Sequence, residues 1–154
     1  MHEIFKNHLD DSELNGNPFR YRGIEYQMQN GSLTVIGITR RYCSTLVIPD
    51  YFTSTDYRDM DTVTEYNYVR EIAPTVFACK PIERVKLPCG LWRIGADAFA
   101  GCTSLRSVTF TGCEDIHIEE NAFAGCGQLA VINNLPSTLK IIAKKLNTIK
   151  FRVS

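Results

Sequence analysis

Ile94 to Phe110 reads IGADAFAGCTSLRSVTF, and the pattern returns at Ile118 to Ile132 as IEENAFAGCGQLAVI. A worn copy, IAPTVFACKPIERVKL, precedes both at Ile72 to Leu87. Phe77, Phe99 and Phe123 are 22 and 24 positions apart; Cys79, Cys102 and Cys126 are 23 and 24 apart, and so are Ile82, Leu105 and Leu129. Matching apolar positions at a period of this size mark a repeat array. A single coil cannot bury its own apolar face, so neighbouring coils must stack on it. In Leu105-x-x-Val108-x-Phe110 the last two apolar residues alternate, which predicts a short strand with one face inward. The three phenylalanines are expected to form one interior row, and Cys79, Cys102 and Cys126 a ladder of small buried thiols at the corner.

These residues resemble the BspA-like leucine-rich repeat family, whose units read roughly I-G-x-x-A-F-x-x-C-x-x-L-x-x-V. Ile94-Gly95, Ala98-Phe99, Gly101-Cys102, Leu105 and Val108 match it, as do Ile118, Ala122-Phe123, Gly125-Cys126 and Leu129. The copy at 72–88 departs from it: Ala73 stands for Gly, Val76 for Ala, and one residue is missing. The resemblance covers about Ile24–Pro49 and Val69 to Phe151. It implies a repeat solenoid: a right-handed, β-rich leucine-rich-repeat coil with short helical or 3-10 turns and an N-terminal β-hairpin cap. It further implies a non-catalytic protein-binding module of the kind described as surface adhesins. A structural or self-associating unit without a separate ligand is the alternative.

The organisation follows. Residues 1–23 read as a loosely docked arm, and 24–154 as one repeat domain. Within it, 24–49 is the hairpin cap: IEYQMQ and SLTVIGI flank Asn30-Gly31, a type I′ turn signal. Residues 50–68 are an inserted loop, 69–134 the repeats and 135–154 a closing unit. In that unit Leu135-Pro136 matches Leu87-Pro88, and Ile149-x-Phe151 reads as a last strand. Atypical terminal repeats are expected as caps.

Composition narrows the function. The 154 residues carry 17 Lys+Arg and 17 Asp+Glu, so no overall field attracts nucleic acid or an anionic membrane. No apolar run approaches the ~20 residues of a membrane helix. The opening MHEIFKNHLD has neither the basic nor the apolar region of a secretory signal, so location stays open between an intracellular protein and an exported one whose signal is removed. No C-x-x-C occurs among the six cysteines, which leaves zinc and thioredoxin-like chemistry without support. Cys89 and Cys113 fall in loops after adjacent strands, where stacking could bring them near disulfide range. DYRDMD lacks the glycine and closing Glu of a calcium loop. No nucleophile motif is present, and no cofactor is expected. His117, between Ile116 and Ile118, is expected to point outward.

Surface remains. The insert packs Tyr51, Phe52, Tyr57, Tyr66 and Tyr68 among five carboxylates. Either its aromatics fold back on the coil, or Tyr51, Tyr57 and Tyr66 anchor a protein partner. Two outward strand columns are expected as well: Arg84, Ser107, Val131, Thr148, and Lys86, Thr109, Asn133, Lys150. Arg84, Lys86 and Lys150 make that face basic. Trp92 either covers the neighbouring coil or stands exposed as an anchor beside Arg93.

Overall fold

The computed structural model describes residues 2–3, 7–39, 44–58, 61–112, 115–134 and 152–153. In chain order the elements are β1 (His2–Glu3), β2 (His8–Leu9), α1 (Asp11–Leu14), β3 (Phe19–Tyr21), β4 (Ile24–Gln29), β5 (Ser32–Ile38), β6 (Thr45–Val47) and β7 (Tyr51–Arg58). They continue with β8 (Asp61–Ile72), β9 (Arg84–Lys86), β10 (Arg93–Ile94), β11 (Ser107–Thr109), β12 (His117–Ile118), β13 (Val131–Asn133) and β14 (Arg152–Val153).

Each repeat contributes one strand to each of two sheets. The five-stranded sheet runs β6-β9-β11-β13-β14, all parallel. Its middle residues Leu46, Val85, Val108 and Ile132 stand side by side and are buried. In the second sheet β8, β10 and β12 pair in parallel, with Ile72, Ile94 and Ile118 in one row. Phe77, Phe99 and Phe123 stack between, ring centroids 5.1 and 5.2 Å apart, forming the interior row the spacing predicts.

The corner between the sheets is a chain of turns in place of the helical or 3-10 turn expected there. Within one coil Ala98, Ala100 and Cys102 donate to the carbonyls of Gly95, Asp97 and Phe99. The intervening Asp97, Phe99 and Gly101 donate to Glu120, Ala122 and Ala124 of the next coil, at 3.2, 2.8 and 2.7 Å. Asp97 and Gly101 lie at positive φ, 56° and 71°, and those left-handed residues stop a right-handed helical run.

That pattern corrects the cysteine register. In the worn copy Thr75, Phe77 and Cys79 donate to Ala96, Ala98 and Ala100, and Cys79 has φ 59°. Cys79 thus occupies the position of Gly101 and is exposed, while Cys102 and Cys126 are buried. The thiol ladder holds two residues. The missing residue falls after the corner, between Lys80 and Ile82. The Cys102 and Cys126 thiols donate to Phe77 O and Phe99 O of the preceding coils, at 3.0 and 3.1 Å.

β3, β4 and β5 form an antiparallel meander that joins the repeats through the parallel β5–β8 pair. The Asn30-Gly31 turn is present, with φ 51° and 78°. The segment expected as a loose arm is tightly held: Leu9, Phe19 and Tyr21 are buried. Phe19 stacks on Tyr26 at 5.4 Å. A capping box fixes α1: the Asp10 carboxylate accepts from the Ser12 and Glu13 amides, and the Glu13 carboxylate from the Asp10 amide. Phe-Arg-Tyr alternates in-out-in, a strand too short for periodicity to reveal.

Candidate interaction surface

Residues 51–68 enter the stack at one definable point. Thr45 pairs with Arg84, 39 positions on, whereas Glu71 pairs with Arg93, 22 positions on. The difference, 17 residues, is carried by the stretch expected as an inserted loop. It is an antiparallel hairpin of β7 and β8, in unbroken register from Tyr51↔Tyr68 to Arg58↔Asp61. A high content of β-branched and aromatic residues accounts for strand formation: Phe52, Thr53, Thr55 on one arm and Thr62, Val63, Thr64, Tyr66, Tyr68 on the other.

The base of the hairpin is locked. Phe52 is fully buried and meets Phe19, Tyr21 and Tyr26 edge-on, at 5.2, 5.3 and 5.0 Å. The Asn67 amide donates to Phe52 O at 3.2 Å and to the Ser54 hydroxyl at 3.0 Å. The Asp50 carbonyl accepts from Val69 N and its carboxylate from Cys89 N, tying the junction to the next coil. β2 pairs with β7, and Thr53 N–H donates to Asn7 O. One aromatic of the insert therefore folds back on the core, as one of the two readings required.

The tyrosines do the opposite. Tyr51 and Tyr66 are 36% and 54% exposed, and Trp92 is 50% exposed. Tyr51 meets Tyr66 edge-on at 4.8 Å and Tyr68 at 5.7 Å. The Arg70 guanidinium lies 4.7 Å from the Tyr68 ring centre and 5.2 Å from that of Trp92, and it donates to Gly90 O at 2.9 Å. Trp92 Nε1 donates to the Glu71 carboxylate at 3.4 Å. Both readings of Trp92 hold in part: the indole leans on the preceding coil yet leaves half its surface in solvent. The outcome is one row, Tyr66–Tyr51–Tyr68–Arg70–Trp92, held by cation–π and edge contacts. Tyr57 pairs with Thr62 through its backbone, and its side chain lies outside the described residues. Tyr68 and Arg70 are missing from the sequence-derived set. Tyr66-x-Tyr68-x-Arg70 would have exposed them had the insert been read as a strand.

Beside this row a charge ladder crosses three coils. Arg93 sits 3.5 Å from Glu71 and 2.6 Å from Glu119. The second Glu119 oxygen accepts from Ala96 N at 2.9 Å. The Arg93 hydrogen bond, then the Ala96 amide, hold the Glu119 carboxyl below the usual carboxylate range. Arg93 is pushed up by the same partner. His117 is exposed, as alternation predicts.

Arg84 and Lys86 are exposed on the five-stranded sheet, away from the tyrosines' sheet. Their columns extend backward to Thr45 and the exposed Val47, and forward to Ser107, Val131 and Thr109, Asn133. The far end differs from expectation. Val131 pairs with Arg152 of β14, and Thr148 and the expected strand Ile149-x-Phe151 lie outside the described residues. Lys150 lies outside the described residues, and so does Cys113, which leaves its pairing with Cys89 undescribed. Burial raises the Cys102 thiol and pushes that of Cys126 up to about 11. Both are poor nucleophiles at neutral pH. Among the described residues no three His, Cys, Asp or Glu side chains converge on a possible metal position, and no helix is long and apolar enough to cross a membrane.

Comparison with known proteins agrees with the stacked architecture. Residues 49–149 match six copies of the BspA type leucine rich repeat region. The crystal structure of a leucine-rich repeat protein from Bacteroides capillosus ATCC 29799 is similar, with a TM-score of 0.63 and 22% identity over 89% of this chain and 87% of that one. A leucine rich repeat protein from T. pallidum aligns with a TM-score of 0.48 and 20% identity, over 86% of this chain and 63% of that one. Among curated proteins no sequence matches. With well over half of its length matched by the repeat model, the chain belongs to the BspA-type leucine-rich repeat family.

Proposed function

We propose that the chain is a non-catalytic protein-binding module of adhesin-like character, a right-handed solenoid capped at its N-terminal end by the β3–β5 meander. The contact element in this reading is the 51–68 hairpin. One observation carries it: Tyr51, Tyr66 and Trp92 are large, exposed and already held by neighbours, so ordering them on binding costs little. The basic pair Arg84 and Lys86 forms a second surface, and the exposed Val47 beside Lys86 gives it an apolar point. The balanced charge supports a protein partner over nucleic acid.

The test compares immobilised parent chain with Tyr66→Ser/Trp92→Ser and with Arg84→Glu/Lys86→Glu, all checked for the same circular dichroism. The reading expects a defined protein retained by the parent and by the charge-reversed form, and bound at least tenfold more weakly by the aromatic double variant. Equal retention by all three would refute the hairpin as the contact element.

A further inference from the structure

The hairpin carries a strand edge that no described strand covers. Val69 N–H donates to Asp50 O on the β7 side of β8, whereas Arg70 O and Ile72 O accept from Trp92 and Gly95 on the other side. Peptide groups alternate along a strand, so Asp61, Val63, Glu65 and Asn67 turn toward β7. Thr62, Thr64, Tyr66 and Tyr68 turn their N–H and C=O groups away from it. Among the described residues no strand pairs with β8 along those four; β10 joins only at Glu71 and Ile72. Residues 61–66 are all exposed.

Natural edges are usually blunted by Lys, Pro, a bulge or a covering segment. The stretch Asp61 to Tyr68, DTVTEYNY, has no Lys, Pro or Gly, and its register with β7 is unbroken. It is rich in residues that favour strands. The formal net charge is zero, so two copies do not repel at long range.

We propose that two copies of the chain pair through this edge, antiparallel, with the two-fold axis at Thr64. The pairing does not depend on the heterologous contact proposed above. Register selects it. A two-fold between Thr62 and Thr64 sets Asp61 against Glu65 of the second copy, and one between Thr64 and Tyr66 sets Glu65 against Glu65. A two-fold at Tyr66 drives the second strand into Trp92, whose amide already occupies Arg70 O. The axis at Thr64 alone gives seven residues of ladder with no like charges opposed: Thr64 to Thr64, Thr62 to Tyr66, Val63 to Glu65 and Asp61 to Asn67. The product is a continuous sheet β7-β8-β8-β7. Both tyrosine rows then lie on one face, because hydrogen-bonded antiparallel partners share a face.

The experiment is site-directed cross-linking of the whole chain with sedimentation velocity. Hydrogen-bonded antiparallel partners have Cα atoms about 5.5 Å apart, within disulfide range. Thr64→Cys should give a covalent dimer on mild oxidation, with the 64–64 linkage identified by peptide mass. Thr62→Cys alone should not self-link through position 62, but should link to Tyr66→Cys when the two are mixed. Unmodified chain should sediment faster with concentration, and Thr64→Lys should weaken that association on the order of tenfold. A parent monomeric up to millimolar concentration overturns the pairing. So do a dimer indifferent to Thr64→Lys and cross-links that ignore position.

Discussion

Gly95→Ala tests how closely successive coils approach. A Cβ at Gly95 would stand 2.6 Å from Pro74 N and 2.9 Å from both Ala73 C and Ile72 O. All three are backbone atoms of the preceding coil, so no flexible side chain can yield. Gly95 N–H also donates to Ile72 O at 2.8 Å, so the methyl group would push apart two strands that this bond joins. Overpacking of this kind costs about 1–3 kcal/mol. Stretching a buried backbone bond adds about 1–3 kcal/mol. Together these come to a loss of roughly 2–6 kcal/mol, a large share of the ~5–15 kcal/mol that holds a domain together. For a chain of this size that lowers Tm by about 5–25 °C. Gly127→Ala is the matched control: no atom lies within 4 Å of its built Cβ, and its φ is not left-handed. The same methyl there should be neutral or stabilise by up to ~1 kcal/mol through the unfolded chain. Urea unfolding followed by circular dichroism measures both. A Gly95→Ala midpoint equal to the parent's, or a Gly127→Ala loss as large, would show that coil spacing at residue 95 is not set by backbone contact.

Three further outcomes are expected. Phe99→Ala removes the middle ring of the stack between Phe77 and Phe123 and should cost about 3–5 kcal/mol by urea titration, more than Phe123→Ala at the less buried end. Brief alkylation of native protein, mapped by peptide mass, should label Cys79 and spare Cys102 and Cys126 until the chain unfolds; equal labelling would contradict the assigned corner register. Glu119→Gln should lower Tm at neutral pH. The Glu119 pKa is depressed in the folded chain, so its stabilisation is present above the ordinary value of 4.5 and is lost as pH falls through the lower folded value. The gap in Tm between parent and variant should therefore close in acid, and a pH-independent gap would assign the effect to something other than charge.

The interior of the repeats was legible because each buried position recurs. Phe77, Phe99 and Phe123 needed only subtraction, and the inward Val85, Val108 and Ile132 followed from alternation. The corner was misread by one residue because Cys79 matches Cys102 in type. Backbone conformation decides equivalence there: Cys79 shares a left-handed φ and a hydrogen bond to the next coil with Gly101. A residue's letter does not report its φ. The N-terminal segment was hidden for a different reason. Leu9, Phe19 and Tyr21 are spread over elements of two or three residues, too short to show a period, and Phe19 and Tyr21 pack on Phe52, a residue 31 or more positions away.

The same distinction explains why the fold could be read further than the contact surface. Stacking constrains a residue only where the next coil touches it, so the repeat is written in inward positions and says nothing of outward ones. The hairpin enters where stacking constrains least. Ile48 N–H still bonds to Lys86 O before it, and Trp92 N–H to Arg70 O after it, so the coil is unbroken on both sides. Between those bonds the chain is free to leave the stack and return, provided Asp50 and Val69 meet at the junction, as their 3.0 Å bond requires. The inward demand on residues 51–68 then reduces to Phe52 and Ser54 at the base, and both are nearly or fully buried. Farther out along β8, residues 61–66 are all exposed. A solvent-facing row of Tyr66, Tyr51 and Tyr68, ending on Trp92, is thus not a by-product of the core, and stacking alone would have been served as well by serine or lysine. That the positions carry tyrosines, each held by a neighbour, is the physical ground for the proposal that this hairpin makes contact with a partner.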